Sequence, residues 1–407
     1  DVVDLVRGKK GTLVRLDVIP AAGRADEARR LTITRNEVRL EEQAAQSKII
    51  EINDLDSNPR KIGIIDIPAF YLDFDAYRKG DPDFRSTTRD VAKLVNELNE
   101  SGVDGLVIDL RGNGGGSLRE ANELTGLFIE YGPTVQIRGT GSRVWRDGKR
   151  RRGPYYDGPV AIMINRLSAS ASEIFAGALQ DYGRAIVVGD RSFGKGTVQT
   201  LIDLPEGQLK ITESKFYRIS GDSTQHRGVI PDISYPSLLQ HDEIGESSLD
   251  KALDWDRIAP VRHQDYGAVD AILPTLVAKH TERANDDPEF QYIWNQKALA
   301  EKVRGAQALP LNEAERIAQR TSQEIQYLAI ENTRRQAKGM ETLASLDDLI
   351  GEDEDPSDLP PDSTEEPSAA SDDTEAIEVD ALITETARIL ADAINLSGPV
   401  MARADNR

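Results

Sequence analysis

The chain has 407 residues, of which 70 are acidic, 50 are basic and none is Cys, and its net charge is −20. This length exceeds one ordinary hydrophobic core, and a hydrophobic share of 39% excludes wholesale disorder, so two or three domains are expected. The acidic balance excludes a general nucleic-acid binder, and the lack of Cys excludes thiolate nucleophiles, disulfides and Cys-based metal sites.

Residues 1–42 have the pattern of a small remnant. DVVDLVRG is typical of the end of an amphipathic helix that stops at Gly8, and TLVRLDVIP and ARRLTITR alternate as half-buried strands do. One helix and two strands bury too little surface to fold alone, so we expect the end of a domain whose first part precedes Asp1. Because no charged and then apolar leader opens the sequence, we expect a fragment or a mature product.

Strand and helix patterns alternate from Lys61 to about Tyr235. The apolar runs KIGIIDI, GLVIDL, PVAIMIN and RAIVVG are typical of buried parallel strands. Between them, TTRDVAKLVNELNESG, SLREANELTGLFI and the stretch that begins near Ser168 predict helices. The alternation predicts an α/β core over residues 43–238.

The strand patterns fade beyond Leu238. Stretches such as NEAERIAQRTSQEIQYLAIENTRRQAKG predict a mainly helical C-terminal domain over residues 239–350. A last helix, roughly Val379–Leu396, is predicted within residues 379–407. No apolar run approaches the roughly 18–20 residues that span a bilayer, so no transmembrane segment is expected.

Residues 351–378 carry most of the net charge. They contain 12 acidic side chains, four prolines and no Lys or Arg, and without them the net charge falls from −20 to −8. High charge, proline and few apolar residues predict an acidic, disordered linker. A plain spacer is the favoured interpretation over an acidic interaction segment.

Three glycine- and serine-rich stretches follow buried strands, where α/β folds gather their sites. The first is DLRGNGGG, Asp109–Gly116, whose backbone N–H groups are able to approach an anion such as a phosphate or an acyl-transfer oxyanion. A tight turn is the alternative interpretation. A dinucleotide fingerprint does not fit, because the third glycine position falls on Ser117.

The second stretch, SASASEIFAGAL over Ser168–Leu179, lies at a strand-to-helix junction. Its three alternating serines, taken alone, favour capping and close packing. The alternative is that one of them is a nucleophile whose oxyanion faces the amides of the helix N-terminus.

The third stretch, GDRSFGKGTVQ, is close to a phosphate-binding loop, but Gly196 stands where Ser or Thr should hold magnesium. A strand starting directly after it would place Lys195, Thr197 and Gln199 on one face. A lysine is able to serve as general base for a serine without histidine. An ordinary lysine amine, with a pKa of about 10.4, is almost wholly protonated at pH 7, so such a base requires burial.

Taken in order, DLRGNGGG, NRLSASASEIFAGALQDYGRAIVVGD and FGKGTVQ resemble the C-terminal processing peptidases, also called tail-specific proteases. The serine and the lysine stand at the family's spacing. KIGIIDIPAFY, GLFIEYGPTVQIR, KFYRISGDSTQHRGVIPDI and DPEFQYI extend the resemblance to the long Gram-negative periplasmic branch. The resemblance covers residues 1–350 and thins over the acidic linker.

This resemblance implies a Ser/Lys protease core preceded by a PDZ domain, of which residues 1–42 are the last part. The PDZ carboxylate-binding loop would then lie before Asp1. Ser170 is implied as the nucleophile, Lys195 as the general base and Gln199 as the residue that orients the lysine.

The resemblance also implies an oxyanion hole formed by the backbone amides of Gly116 and Ala171. Asp181 matches an acidic position important for activity in this branch. Under this resemblance, Ser168 and Ser172 have only structural roles, in helix capping and packing.

The implied function is that of a periplasmic serine endopeptidase, associated with the inner-membrane surface, that recognises protein substrates by apolar C-terminal tails. No cofactor or metal is implied, and an adaptor protein on the helical domain is an expected partner. The absence of Cys agrees with a periplasmic location. The segment between Lys195 and Phe216, which contains LPEGQLKITES, looks shorter than the same segment in this branch, and this leaves substrate preference open.

Two alternatives to the Ser/Lys protease stay open. A Ser–His–Asp hydrolase would use His226, which precedes GVIPDI. His241, His263 and His280 lie in helical, polar surroundings and are expected to be solvated. A non-catalytic scaffold of PDZ and helical parts is disfavoured, because the serine, lysine and glutamine are all present.

Overall fold

The computed structural model describes residues 5–6, 8–9, 11–18, 29–35, 44–53, 58–139, 141, 144–149, 153–305, 308–346, 348 and 377–397. Most of the helix expected over residues 1–8 lies outside these residues. The same is true of the predicted acidic linker, apart from residues 377 and 378. The chain divides into two compact units, residues 1–43 and residues 44–407.

The first unit contains an antiparallel strand pair. β1 (Leu13–Val18) pairs with β2 (Arg29–Thr34), with Leu13 opposite Thr34. In β1 the side chains of Val14 and Leu16 are half-buried while their neighbours are exposed. This is the period of two expected of a strand with one covered face.

A six-stranded sheet forms the centre of the second unit. Its strands, in spatial order, are β12 (Ile233–Ser234), β9 (Ile186–Gly189), β8 (Val160–Ile164), β5 (Gly105–Asp109), β4 (Pro59–Asp66) and β3 (Gln46–Asn53). All neighbours are parallel except β3, which pairs antiparallel with β4. Every residue of β5 and β8 is buried, which confirms the buried parallel strands predicted from their apolar runs.

Helices cover one face of this sheet. They are α2 (Thr87–Glu100), α3 (Leu118–Phe128) and α4 (Ala171–Asp181), each of which contributes buried apolar side chains; the short α1 (Phe74–Lys79) precedes them in the chain and is mostly exposed. In α2, Val91, Val95 and Leu98 face the core at helical spacing. The hydroxyl of Ser86 caps its N-terminus, and Gly102, with φ of +73°, follows its end.

The other face of the sheet is covered by α8 (Ala381–Ser397) and α5 (Ala268–Asp286). Ile383, Ala387 and Leu390 of α8 are fully or almost fully buried against this face. A Cβ atom on Gly105 would lie 3.0 Å from Leu390 Cδ2, so α8 approaches β5 closely. Although α8 follows the helical region in sequence, it is a layer of the α/β core.

A second, antiparallel sheet has the order β10 (Thr197–Asp203), β11 (Gln208–Tyr217), β6 (Gly132–Gly139) and β7 (Val144–Lys149). The sequence patterns predicted β10 but neither β3 nor the β6–β7 pair. β7 is exposed along most of its length, so its side chains show no strong apolar pattern.

The region after β12 is helical, as predicted. α6 (Pro288–Arg304) and α7 (Glu313–Ala337) follow α5, and Asp287 caps α6 through the amides of Glu289 and Phe290. Among the described residues, every helix is too short or too polar to cross a lipid bilayer.

His280 corrects one expectation from the sequence. It was expected to be solvated, but it is 6% exposed on α5, and its Nδ1 lies 3.1 Å from Glu385 Oε1 on α8. The polar pattern around it reflects buried pairs between the two helices, because Arg283 also pairs with Glu385.

Candidate active site

Three loops meet at the carboxyl edge of the central sheet. They follow β5, β8 and β9 and are called here the glycine loop (residues 110–117), the serine loop (residues 165–170) and the lysine loop (residues 190–196). The amide of Ala169 donates to Asn113 O at 3.0 Å, and the amide of Phe193 donates to Ser168 O at 2.9 Å. The sheet edge therefore joins the three stretches that the sequence analysis selected.

Ser170 has an unusual backbone conformation. Its φ of +59° and ψ of −108° fall in a region that side-chain-bearing residues rarely adopt. It stands directly before α4 and is half-buried. A strained serine on a strand-to-helix turn is the arrangement of a nucleophile elbow, in which the hydroxyl is presented outside the sheet.

The other two serines of this stretch have structural hydrogen bonds. The Ser168 hydroxyl donates to Leu110 O at 2.8 Å and accepts the amide of Asn165 at 2.9 Å. The Ser172 hydroxyl donates to Asn113 O at 2.9 Å. Both side chains are fully buried, so Ser170 is the serine of the three with solvent access.

The glycine loop packs against Ser170. A Cβ atom on Gly115, whose φ is +103°, would lie 2.7 Å from Ala169 O and 2.8 Å from Ser170 Cβ. Gly116 has φ of +145°, and its Cβ would meet the backbone oxygen of Phe70 at 2.2 Å. Among the described residues, the amides of Gly116 and Ala171 have no hydrogen-bond acceptor. Two unpaired amides beside a serine are suited to an oxyanion.

Lys195 is half-buried in the lysine loop. Within the described part of the chain, its Nζ atom makes neither a hydrogen bond nor an ion pair. Gln199 lies on β10, where its Nε2 donates to Thr197 Oγ1 at 2.7 Å and to Thr212 Oγ1 at 3.5 Å. The amide of Gln199 thus faces threonines, and the orienting role expected for it stays a prediction.

Glu173 joins the serine loop to the lysine loop, although it is not among the site residues expected from the sequence. Its Oε2 accepts the amides of Ser170 (2.7 Å) and Lys195 (2.9 Å), and its Oε1 accepts the Ser192 hydroxyl (2.6 Å) and the Gly194 amide (2.7 Å). Burial raises the pKa of the Glu173 carboxyl to about 7, against the lowering effect of these hydrogen bonds.

A sequence signal for Glu173 exists. Ser170 and Glu173 have the spacing of a capping box, in which a glutamate at the third helical position reaches back to the cap amide. The Ser170 amide makes that bond here. The pattern would have identified the contact to Ser170 but not the contacts to the lysine loop.

Asn113 is a second residue that the sequence analysis passed over. It is fully buried, donates from Nδ2 to Ile67 O at 2.7 Å and accepts the Gly115 amide at 2.9 Å. Its backbone oxygen accepts the Ala169 amide. Asn113 therefore fixes the glycine loop against β4 and against the serine loop.

Asp181 lies at the far end of α4 from Ser170, about 15 Å along an 11-residue helix. It pairs with Arg218, whose Nε is 3.1 Å from Asp181 Oδ2, and it accepts the amide of Ser220 at 3.2 Å. These contacts join α4 to the segment after β11. The structure thus brings Ser170, Lys195, Gly116 and Ala171 to one edge and places Asp181 in a supporting contact.

The histidines make contacts away from the Ser170 side chain. The amide of His226 donates to Gly194 O at 2.9 Å, and its buried Nε2 has no partner among the described residues. His241 contacts Asp190 Oδ1 at 2.8 Å, and His263 contacts backbone oxygens. A Ser–His–Asp triad requires a carboxylate that is hydrogen-bonded to the histidine ring. Among the described residues, no carboxylate makes such a bond to His226.

Two family models match this chain. The model described as Peptidase family S41 matches residues 61–235, and the model described as the C-terminal domain of tail specific protease (DUF3340) matches residues 239–395.

Curated proteins are also similar. The chain is 38% identical over 361 residues to a protein named Tail-specific protease from Haemophilus influenzae, covering 86% of this chain and 49% of that protein. It is 31% identical over 232 residues to a Carboxyl-terminal-processing protease from Picosynechococcus sp., covering 57% and 50%. The chain therefore spans about half the length of these relatives.

Among solved structures, the photosystem II D1 C-terminal processing protease matches with a TM-score of 0.40 and 25% identity, covering 58% of each chain.

Proposed function

We propose that the chain is a serine endopeptidase of the tail-specific, or C-terminal processing, type, with Ser170 as nucleophile and Lys195 as general base. The match of residues 61–235 to Peptidase family S41 and the similarity to the Tail-specific protease of Haemophilus influenzae support the proposal. The observation that supports the pair is the shared acceptor Glu173 Oε2, which binds the amides of both residues. Their backbone nitrogens are consequently closer together than the two hydrogen-bond lengths combined.

In the proposed reaction, neutral Lys195 takes the Ser170 proton while Oγ attacks the carbonyl carbon of the substrate peptide bond. The amides of Gly116 and Ala171 donate to the oxyanion, and Ala171 adds the partial positive charge of the α4 N-terminus. The lysine then gives its proton to the leaving amine. A water molecule, deprotonated by Lys195, then attacks the acyl carbon, the bond from that carbon to Ser170 Oγ breaks, and Lys195 returns the proton to Oγ.

Gln199 would turn its amide from Thr197 toward Lys195 and accept a hydrogen bond from the lysine amine. Asp181 supports the reaction at a distance, through its ion pair with Arg218.

We further propose that substrates are proteins with apolar C-terminal tails, engaged through a PDZ domain that ends at about residue 42. The β1–β2 pair is compatible with the end of such a domain. A periplasmic location at the inner-membrane surface and an adaptor on the helical region are part of the same proposal, and both rest on the family resemblance.

The test uses an unfolded protein substrate in two forms, one ending in apolar residues and one ending in two aspartates. Ser170→Ala and Lys195→Ala should each reduce cleavage of the apolar-tailed form by at least about 1,000-fold. Lys210→Ala, at an exposed lysine on β11, is the matched control and should cleave normally.

A fluorophosphonate probe should modify Ser170, as located by peptide mass spectrometry. Normal cleavage by either Ser170→Ala or Lys195→Ala would contradict the catalytic pair. Equal cleavage of the two substrates by the wild type would contradict the proposed recognition of apolar tails, but it would not contradict the proposed catalytic pair.

A further inference from the structure

Arg166 is a fully buried arginine in the serine loop, four residues before Ser170. Its guanidinium donates to Ser192 O of the lysine loop, to Ile244 O at 2.6 Å and to His241 O at 3.0 Å. All three acceptors are backbone oxygens. One planar cation therefore connects the loop of the proposed nucleophile, the loop of the proposed base and a third segment, residues 241–247.

This third segment, called here the clasp, fits closely around Arg166. Gly245 has φ of +126°, and a Cβ atom there would lie 2.0 Å from Arg166 Nη2. The Ser247 hydroxyl accepts a further hydrogen bond from Nη2 at 3.2 Å. Only a glycine permits the backbone to approach the guanidinium in this way.

The clasp also holds the lysine loop on both sides of Lys195. On one side, the Glu246 amide donates to Phe193 O at 3.0 Å. On the other, the Gly196 amide donates to Gln225 Oε1 at 2.9 Å, and Gln225 Nε2 donates to Glu246 Oε1 at 3.0 Å. Glu246 is thus connected to the residue two positions before the lysine and to the residue directly after it.

We propose that Arg166 and Glu246 are positioning residues that set the distance between the serine and lysine loops. The clasp belongs to the region matched by the C-terminal domain model, residues 239–395. The start of that domain is therefore part of the catalytic apparatus, beyond any part it has in binding partners. This inference rests on the proposed Ser170–Lys195 pair.

The physical reason is the precision that proton transfer requires. A general base works at hydrogen-bond distance, and a displacement of about 1 Å can reduce the rate about 100-fold. Glu173 binds backbone amides of the two loops, whereas Arg166 and Glu246 connect to the lysine loop through other atoms, the backbone oxygens of Ser192 and Phe193 and the side chain of Gln225. Loss of the clasp contacts would let the lysine loop shift although Glu173 is retained.

The experiment compares two substitutions at one position in the full chain. Glu246→Leu removes the acceptor of Gln225 Nε2, whereas Glu246→Gln retains an acceptor oxygen of the same reach. The rate of Ser170 modification by a fluorophosphonate probe and the kcat for protein cleavage should fall about 10- to 100-fold in Glu246→Leu. KM should change far less than kcat, and Glu246→Gln should stay within about threefold of the wild type.

The split between kcat and KM, together with the retained activity of Glu246→Gln, separates positioning from a general loss of folding. Arg166→Lys keeps the charge but cannot reach all three backbone oxygens, so it should lose kcat in the same sense. If Arg166→Lys fails to fold, the Glu246 pair alone decides, with thermal unfolding as the measure of folded protein.

A folded Glu246→Leu with wild-type modification rate and kcat would overturn the inference. So would equal losses in Glu246→Leu and Glu246→Gln. A wild-type protein that neither reacts with the probe nor cleaves substrate would overturn the proposed function itself. An active wild type together with an unimpaired variant would overturn only the positioning role.

Discussion

At the scale of the single residue, the buried carboxylate of Glu173 has the most consequences. Its two oxygens serve four donors, three of which are backbone amides. A carboxylate is able to accept all four only while it is ionised, because a protonated oxygen becomes a donor. Since burial raises the pKa of Glu173 to about 7, its charge state changes within the pH range where enzymes work.

This leads to a prediction about pH. As the pH falls through about 7, Glu173 takes up a proton and one of its four donors loses its acceptor. Activity should therefore decline on this acid side. Glu173→Gln, neutral at every pH and with an NH₂ group facing donors, should lower kcat about 10- to 100-fold.

The measurement is kcat against pH for the wild type and for Glu173→Gln, with kcat/KM recorded alongside. The substitution should remove the component of the acid limb near pH 7. A Glu173→Gln variant with full activity and an unchanged acid limb would show that Glu173 contributes to the fold but not to catalysis.

A second prediction concerns the glycine loop. Gly115→Ala places a methyl group 2.8 Å from Ser170 Cβ at φ of +103°, so it should displace the serine or the loop. We expect kcat to fall at least about 100-fold. Gly114→Ala, where a Cβ atom meets nothing within 4 Å, is the neighbouring comparison and should lose far less.

The assay for this pair is probe modification of Ser170 together with the melting temperature. Equal losses of probe reaction in the two variants would mean that the loop tolerates no side chain anywhere. In that case the particular contact of Gly115 with Ser170 would not explain the effect.

At the scale of the element, α8 is the feature that sequence order did not reveal. It covers the central sheet together with α5, and Arg111 of the glycine loop donates to Asp380 at 2.6 Å, across 269 positions of sequence. Its helical pattern was predicted correctly. Its partner was not, because an amphipathic pattern identifies an apolar face without identifying the surface that covers it.

The energetic weight of α8 is open to direct measurement. Leu390 is 0% exposed and Leu396 is 40% exposed. Leu390→Ala should lower the free energy of unfolding by about 2–5 kcal/mol, because it leaves a cavity against β5. Leu396→Ala should change it by about 0.5 kcal/mol or less.

Urea unfolding followed by circular dichroism gives both values. Equal effects of the two substitutions would contradict the docking of α8 on the sheet, since only that docking distinguishes the two leucines.

The burial of each strand explains which strands the sequence predicted and which it did not. The parallel strands were predictable because both their faces are buried, so they are continuous apolar runs. β7, with the sequence VWRDGK, is mostly exposed and carries little of the alternation that identifies a strand. β3, with QSKIIEIN, is an edge strand that is at most half-buried.

At the scale of the whole molecule, the predicted α/β class, the helical region after residue 238 and the family resemblance are confirmed. The three loops were predictable because each follows a buried strand and is rich in glycine or serine. Glu173, Asn113 and Arg166 were not selected, since each acts through contacts to loops distant in sequence. A single sequence contains no direct record of such contacts.

The docking of α8 also has a consequence for the order of events during synthesis. A ribosome completes Ile62, Val107 and Met163 long before it reaches residue 381, so this apolar sheet face first forms without its cover. At that stage the nascent chain exposes this apolar surface, which is the condition that makes folding intermediates prone to aggregate. Arg111, in the glycine loop, gains its contact with Asp380 only after the segment that starts α8 has been synthesised. The cover of this sheet face and the Arg111–Asp380 ion pair are therefore complete only after residue 397 has been translated.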